Sequence, residues 1–297
     1  MGRLPPAMNQ AMELVSIIIP CYNSGATLGQ TVASAKAQTW PNLEIIVIDD
    51  GSTDPMTLEV LAALKGVTVL RQPNSGLPAA RNAGFRAARG EYVLPLDADD
   101  WIEPEAIAVF MQAIESTAHS GFAYCDTQLE GEASEVLRKS YNFFEQLSLN
   151  QLPYCLLMPR RLWVEAGGYD ETMRQGYEDW EFNIRLGTLG YFGLRVPQTM
   201  FHYRVSSSGM LISKSNRLHG TLWSQIQARH AETYRWRSLL RLNREWSSRP
   251  SDYPLVFHLA WMVAHRLLPV PAFSFLFKWQ RQRSAARRTA DLQPWRG

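Results

Sequence analysis

Acidic residues gather at three points of this sequence: Asp49-Asp50, Asp97-Ala98-Asp99-Asp100 and Glu178-Asp179-Trp180-Glu181. The first two follow directly on apolar runs, Leu43 to Ile48 and Tyr92 to Leu96. A third run, Leu14 to Ile19, ends in the polar-aromatic turn Pro20-Cys21-Tyr22-Asn23. Neighbouring carboxylates repel one another unless something positive lies between them. A divalent cation carrying a diphosphate is the simplest such object, and carboxylate oxygens suit hard Mg2+ or Mn2+. Each cluster alone has an ordinary explanation, in turn chemistry for Asp-Gly-Ser and in the helix dipole for acids at a helix start. The convergence of the strand-end groups at 20–23, 49–52 and 97–100 on one edge of a sheet is harder to explain that way.

The elements that must position these residues alternate. Besides the three apolar runs there is a fourth, Val67 to Leu70, and between the runs lie helical stretches at roughly 27–38, 57–65 and 78–89. This order predicts parallel βαβ units with strands buried on both faces, an α/β, Rossmann-like, doubly wound and mostly parallel sheet. Ligands of such sheets bind at the carboxyl ends of the strands, where the acid clusters stand. Further on, the spacing predicts a helix from Glu103-Pro104-Glu105 to about Ser116 and a short strand over 122–125. A loop-rich polar insertion follows over 127–150, then a strand over 155–158. A helix over 160–166, stopped by Gly167-Gly168, and another over 178–189 complete this part. On the last helix a wheel sets Asp179 beside Leu186 on the apolar side and pairs Glu181 outward with Arg185. Residues from about 213 read as mainly helical, interrupted by Pro269 and Pro271.

The segments Val15-Ser-Ile-Ile-Ile-Pro-Cys-Tyr-Asn23, Leu43-Glu-Ile-Ile-Val-Ile-Asp-Asp-Gly-Ser-Thr-Asp54, Arg81-Asn-Ala-Gly84, Gly90-Glu-Tyr92 and Asp97-Ala-Asp-Asp100 follow in that order. Together they closely resemble the family 2 glycosyltransferases over about residues 14–205. The resemblance implies the GT-A fold, a nucleotide-sugar donor, a metal cofactor (Mn2+ or Mg2+) and inversion at the anomeric carbon. It implies donor contacts from Pro20, Tyr22, Asn23, Asp50, Arg81, Asp97 and Ala98. Asp50 would accept a hydrogen bond from the base, best matched by uracil, and Arg81 would lie near the base and diphosphate. Asp99 would be the direct metal ligand, with Asp97 on the ribose or a metal-bound water and His202 a weaker candidate. Gly176-Tyr-Glu-Asp-Trp-Glu181 resembles the family's acidic motif, which implies Asp179 as the base that deprotonates the acceptor. Glu178, Trp180 and Arg204 are the remaining acceptor or diphosphate candidates, Trp180 as a stacking platform for a sugar ring and Arg204 reaching the diphosphate. Asp100 could instead cap the next helix.

These readings divide the chain into a disordered leader (1–13), a GT-A catalytic domain (14–212; nucleotide half 14–100, acceptor half 101–212) and a helical C-terminal region with a basic tail (213–297). The chain has 297 residues, 46% hydrophobic and 20% charged, enough for a sizeable core. A net charge of +2 argues against a nucleic-acid binder. Cys21, Cys125 and Cys155 form no CxxC pair, so reduced thiols and a cytoplasmic setting are expected. Residues 255–277 are apolar but contain His258, His265, Arg266, Pro269 and Pro271, which a spanning helix would carry at a cost. An interfacial contact at the cytoplasmic face of a membrane, useful for a lipid-linked acceptor, and a packed helical appendage both remain open. Two other functions fit the same fold: a sugar nucleotidyltransferase, disfavoured because 22–27 lacks Lys or Arg, and an inactive nucleotide- or glycan-binding module, disfavoured by Asp97, Asp99 and Asp179 together. The sugar and the acceptor are not encoded in these motifs.

Overall fold

The computed structural model describes residues 12–117, 121–206 and 218–279. Nearly all of the expected leader, residues 213–217 and the tail from 280 onward lie outside them.

The first half builds as its periodicity demands. β1 (Val15–Cys21) is buried along its whole length and is flanked by β2 (Leu43–Asp49) and β4 (Tyr92–Pro95), both parallel to it. β3 (Thr68–Arg71) pairs with β2 at the sheet edge, and all four of its residues are exposed. The expectation that every strand is buried on both faces therefore fails at β3, the edge strand. α1 (Gly25–Lys36), α2 (Pro55–Ala63) and α3 (Leu77–Ala87) make the crossovers. α2 starts where its sequence says it should: Asp54 accepts the Thr57 N–H at 2.8 Å, and Pro55 occupies the first turn. α3 packs close to the sheet because Gly84 has no side chain; a Cβ there would overlap Ile18 and press on Ile48.

The second half extends this sheet. β4 pairs antiparallel with β8 (Met158–Pro159), and the neighbouring Leu157 exchanges two backbone hydrogen bonds with Ala123 of β6 (Phe122–Gly131), at 2.8 and 3.0 Å. β6 runs parallel to the long β9 (Gly193–Val205), which carries the short β5 (Trp101–Ile102) on its other side. The strands over 155–158 and 122–125 are thus a bridge and the first half of a ten-residue strand. α4 (Ala106–Glu115) covers this part of the sheet, and α6 (Arg160–Glu165) ends at Gly167 and Gly168, both left-handed.

The polar stretch 127–150 is not a loop-rich insertion. It continues β6, adds β7 (Val136–Leu137) antiparallel to it, and forms α5 (Phe143–Gln146). Residues 141–148 are all buried. Their polar members, Asn142, Glu145, Gln146 and Ser148, are enclosed by helices from the far end of the chain, so local polarity misleads. α7 (Glu178–Thr188), α8 (His219–Arg229), α9 (Trp236–Trp246) and α10 (Leu255–Leu267) pack around α5, with Phe143, Trp180, Trp223, Leu239, Trp246 and Trp261 in one continuous core.

Candidate active site

Three loops meet at the carboxyl edge of β1, β2 and β4. After β1, Asn23 adopts φ 50° and accepts the Thr53 and Asp54 N–H groups at 2.9 and 3.0 Å, while its own N–H donates to Ser52 at 3.1 Å. This locks the first loop to the second and leaves the Tyr22 ring half exposed, whereas Pro20 stays buried inside β1. Asp50 is 3% exposed; its carboxylate accepts from Gln72 Nε2 (2.7 Å), Ser75 N (2.9 Å) and Gly76 N (2.8 Å). It organises the 72–76 loop, a local role that the family motif does not reveal.

The D-x-D turn is held from behind. Tyr154 donates to Asp100 at 2.5 Å and accepts the Asp97 N–H at 2.9 Å, and Asp100 also accepts the Arg204 N–H at 2.7 Å. Asp100 therefore caps no helix; the residues after it form β5. Tyr154 was not among the sequence candidates, since its partners lie 57 and 54 residues away and no motif marks it. Ala98 is buried, and Asp99 points outward at the mouth of the turn. The surrounding protein and the charge of Asp97 push Asp99 up to about 6, the condition of a carboxylate that a cation would relieve. Arg204 lies across the turn, donating to the Asp99 carbonyl (3.0 Å) and to Gln30 (2.8 Å).

Arg81, which the resemblance puts near the base and diphosphate, is buried between two acids. Its side chain is 1% exposed and spans two acids: Nη2 reaches both Asp97 oxygens at 2.8 and 2.9 Å, and Nη1 reaches Glu178 Oε1 at 2.7 Å. Tyr154 and Tyr169 enclose the guanidinium, with ring centroids at 4.8 and 5.6 Å. The arginine thus ties the D-x-D turn to the head of α7. That head is entered through a strained turn, Gly176 at φ 112° and Tyr177 at φ 66°, the latter unusual for a residue with a side chain. Burial raises both Glu178 and Asp179 above the ordinary carboxylate range, with Arg81 opposing. Asp179 is half-buried and accepts from Asn150 Nδ2 at 3.2 Å.

Three further expectations change. Trp180 is 2% exposed, donates to the Gln146 carbonyl at 2.6 Å and stacks in the core near His219 and Trp223, so it offers no platform to a sugar. The structure corrects the helical wheel that set Asp179 on the apolar side: Trp180, about 100° further round, takes the buried side and Asp179 stays half-buried. Glu181 does pair with Arg185, but it does so inside, 3% exposed and 3.0 Å from His230. His202 has both ring nitrogens engaged at 2.9 Å, by Glu130 and Glu103, and stacks on Trp101 at 3.4 Å. No nitrogen is left for a metal. Among the described residues no three carboxylate, imidazole or thiolate groups converge as a metal cage. Asp99 still fits a hard cation whose shell is completed by diphosphate oxygens and water.

The fold is the GT-A fold of glycosyltransferases. Residues 16–173 match the profile described as Glycosyl transferase family 2, and the chain belongs to that family. It is 30% identical over 191 residues to a chondroitin synthase of Pasteurella multocida, covering 61% of this chain and 20% of that one. It is also 30% identical over 212 residues to the glycosyltransferase GlyG of Streptococcus pneumoniae, covering 70% and 64%. The chain spans about a fifth of the length of the first of these relatives. The crystal structure of S. aureus TarS 1-349 in complex with UDP-GlcNAc matches with a TM-score of 0.59 at 16% identity, covering 90% and 91% of the two chains, which shows the GT-A fold.

Proposed function

We propose that this enzyme moves a sugar from a nucleotide-sugar donor, a UDP-sugar, to a hydroxyl of a glycan or lipid-linked acceptor, with inversion. The catalytic unit is residues 14–212, and the remaining helices form an appendage packed on it. The observation that carries this reading is the buried Asp97–Arg81–Glu178 bridge, which holds the donor turn and the acid-bearing head of α7 together. The TarS complexes with UDP and UDP-GlcNAc support the choice of donor, and the synthase relatives support a glycan product.

Tyr22 and Asn23 line the nucleotide side, and Arg204 lies where a diphosphate would lie. Asp99, backed by Asp97, would hold Mn2+ or Mg2+, which when bound offsets charge on the departing diphosphate. Asp179 takes the proton of the acceptor hydroxyl while the hydroxyl oxygen attacks the anomeric carbon and the bond to the diphosphate breaks. Its raised affinity for a proton and its position at a half-open mouth suit that role. The test is thermal shift with UDP, GDP and dTDP, each with and without Mn2+, beside turnover of Asp179→Asn. Stabilisation by UDP only with Mn2+, retained in a variant that no longer transfers, is expected. Transfer by Asp179→Asn at a wild-type rate would remove the base assignment, and no shift with any nucleotide would remove the donor.

A further inference from the structure

Away from the candidate site, the C-terminal helices carry an apolar face that no other described residues cover. α10 and the helical residues 270–279 pack through their inner faces, with Trp261 and His265 against Phe273 at 5.0 and 4.8 Å and Trp223 against Phe273 at 5.7 Å. The opposite side of α10 carries Val256, Ala260, Val263 and Leu267, a spacing that places all four on one stripe. A helix on a soluble surface turns polar residues outward. Here the outward residues are apolar: Val256 is 74% exposed and Leu267 78%. Leu268, Val270 and, at 73%, Phe275 are exposed in the segment that follows. Exposed apolar residues gathered in one short segment mark an interaction surface.

Charge says what covers it. From Tyr253 through Ala290 the sequence contains no acidic residue and six basic ones, Arg266, Lys278, Arg281, Arg283, Arg287 and Arg288. A second copy docked on the same patch would bring two such cationic stretches together, because a twofold contact pairs each surface with itself. An anionic lipid surface satisfies both features. α10 has 13 residues, and no helix among the described residues is long and apolar enough to cross a bilayer. We propose that this face lies on the surface of an anionic membrane, with the apolar stripe in the headgroup–acyl boundary, Arg266 and Lys278 beside the lipid phosphates and the positive charge of the following sequence adding to the attraction. The proposal is independent of the donor and base chemistry above.

The experiment is flotation of the full chain with phosphatidylcholine vesicles, with and without phosphatidylglycerol. Recovery should rise at least about tenfold with the anionic lipid and fall with added salt. Leu267→Glu with Phe275→Glu, both exposed and outside the catalytic machinery, should abolish it while circular-dichroism melting stays unchanged. Arg281→Glu with Arg283→Glu should weaken binding to anionic vesicles by about tenfold or more. Equal recovery with both lipids, or flotation undiminished in the Leu267/Phe275 variant, would overturn the proposal. So would a dimer in sedimentation that the same variant dissociates, without vesicle binding, since that would make a second copy the occupant. A missing nucleotide shift in these samples would count against the donor reading alone.

Discussion

Removing Arg81 should cost more than removing either acid it serves, and the excess can be worked from exposure. The arginine side chain is 1% exposed, Glu178 5% and Asp97 20%. In Arg81→Met, Asp97 can recover some hydration, but Glu178 is left as an uncompensated charge inside the protein. Breaking a buried pair from one side costs about 3–5 kcal/mol. In Glu178→Gln the guanidinium keeps Asp97 and gains a neutral acceptor, so the loss should be nearer about 1 kcal/mol, that of one hydrogen bond. The double variant removes the stranded charge as well, and should be about 1–2 kcal/mol more stable than Arg81→Met alone, a coupling within the usual range for contacting residues. Urea unfolding of the four proteins, read as midpoints at constant slope, measures this cycle. If Arg81→Met lost less than about 1 kcal/mol, or if adding Glu178→Gln lowered stability further, the bridge would not be the junction described here.

Tyr154→Phe should cost about 1–3 kcal/mol by leaving the buried Asp97 N–H and one Asp100 oxygen without a partner; it should also weaken the Mn2+-dependent UDP shift, and an unchanged shift would free Tyr154 of any part in shaping the turn. His258 is buried, bonded to Ser148 at 2.7 Å with Asp252 nearby, and burial lowers it to about 4. An unfolded histidine protonates near 6.5, so above that pH the group has no effect; as pH falls toward 4 the unfolded chain binds a proton that the fold rejects, and roughly 3 kcal/mol is lost. Denaturant midpoints from pH 7 to 4 should show a slope that His258→Leu reduces. Gly84→Ala should destabilise by about 1–3 kcal/mol, because the new methyl overlaps Ile18 beneath α3; a neutral effect would mean that α3 can lift from the sheet.

Much of the fold was legible because its signals are local. Runs such as Val15–Cys21 and Leu43–Asp49 name themselves as strands by composition, and a cap such as Asp54-Pro55 marks a helix start within a few residues. Likewise the acids at 49–50 and 97–100 stand at strand ends, where the parallel order β2-β1-β4 must bring them together. Where the reading failed, the deciding partner was distant. The 141–148 stretch looks like solvent-facing loop until α9 and α10 cover it: Asn142 bonds the carbonyls of Trp246 and Pro250, more than 100 residues away.

By itself, then, the sequence determined an α/β sheet with its acids along one edge and a family membership carried by short motifs, since both depend on neighbours along the chain. Tertiary structure alone decided how those residues are used. It turned Trp180 into core, closed both nitrogens of His202, recruited Tyr154 behind the D-x-D turn and buried Arg81 between Asp97 and Glu178. The reason is physical: which charges a guanidinium meets, and whether water reaches it, depends on residues 16 and 97 positions away, a distance that no periodicity along the chain records.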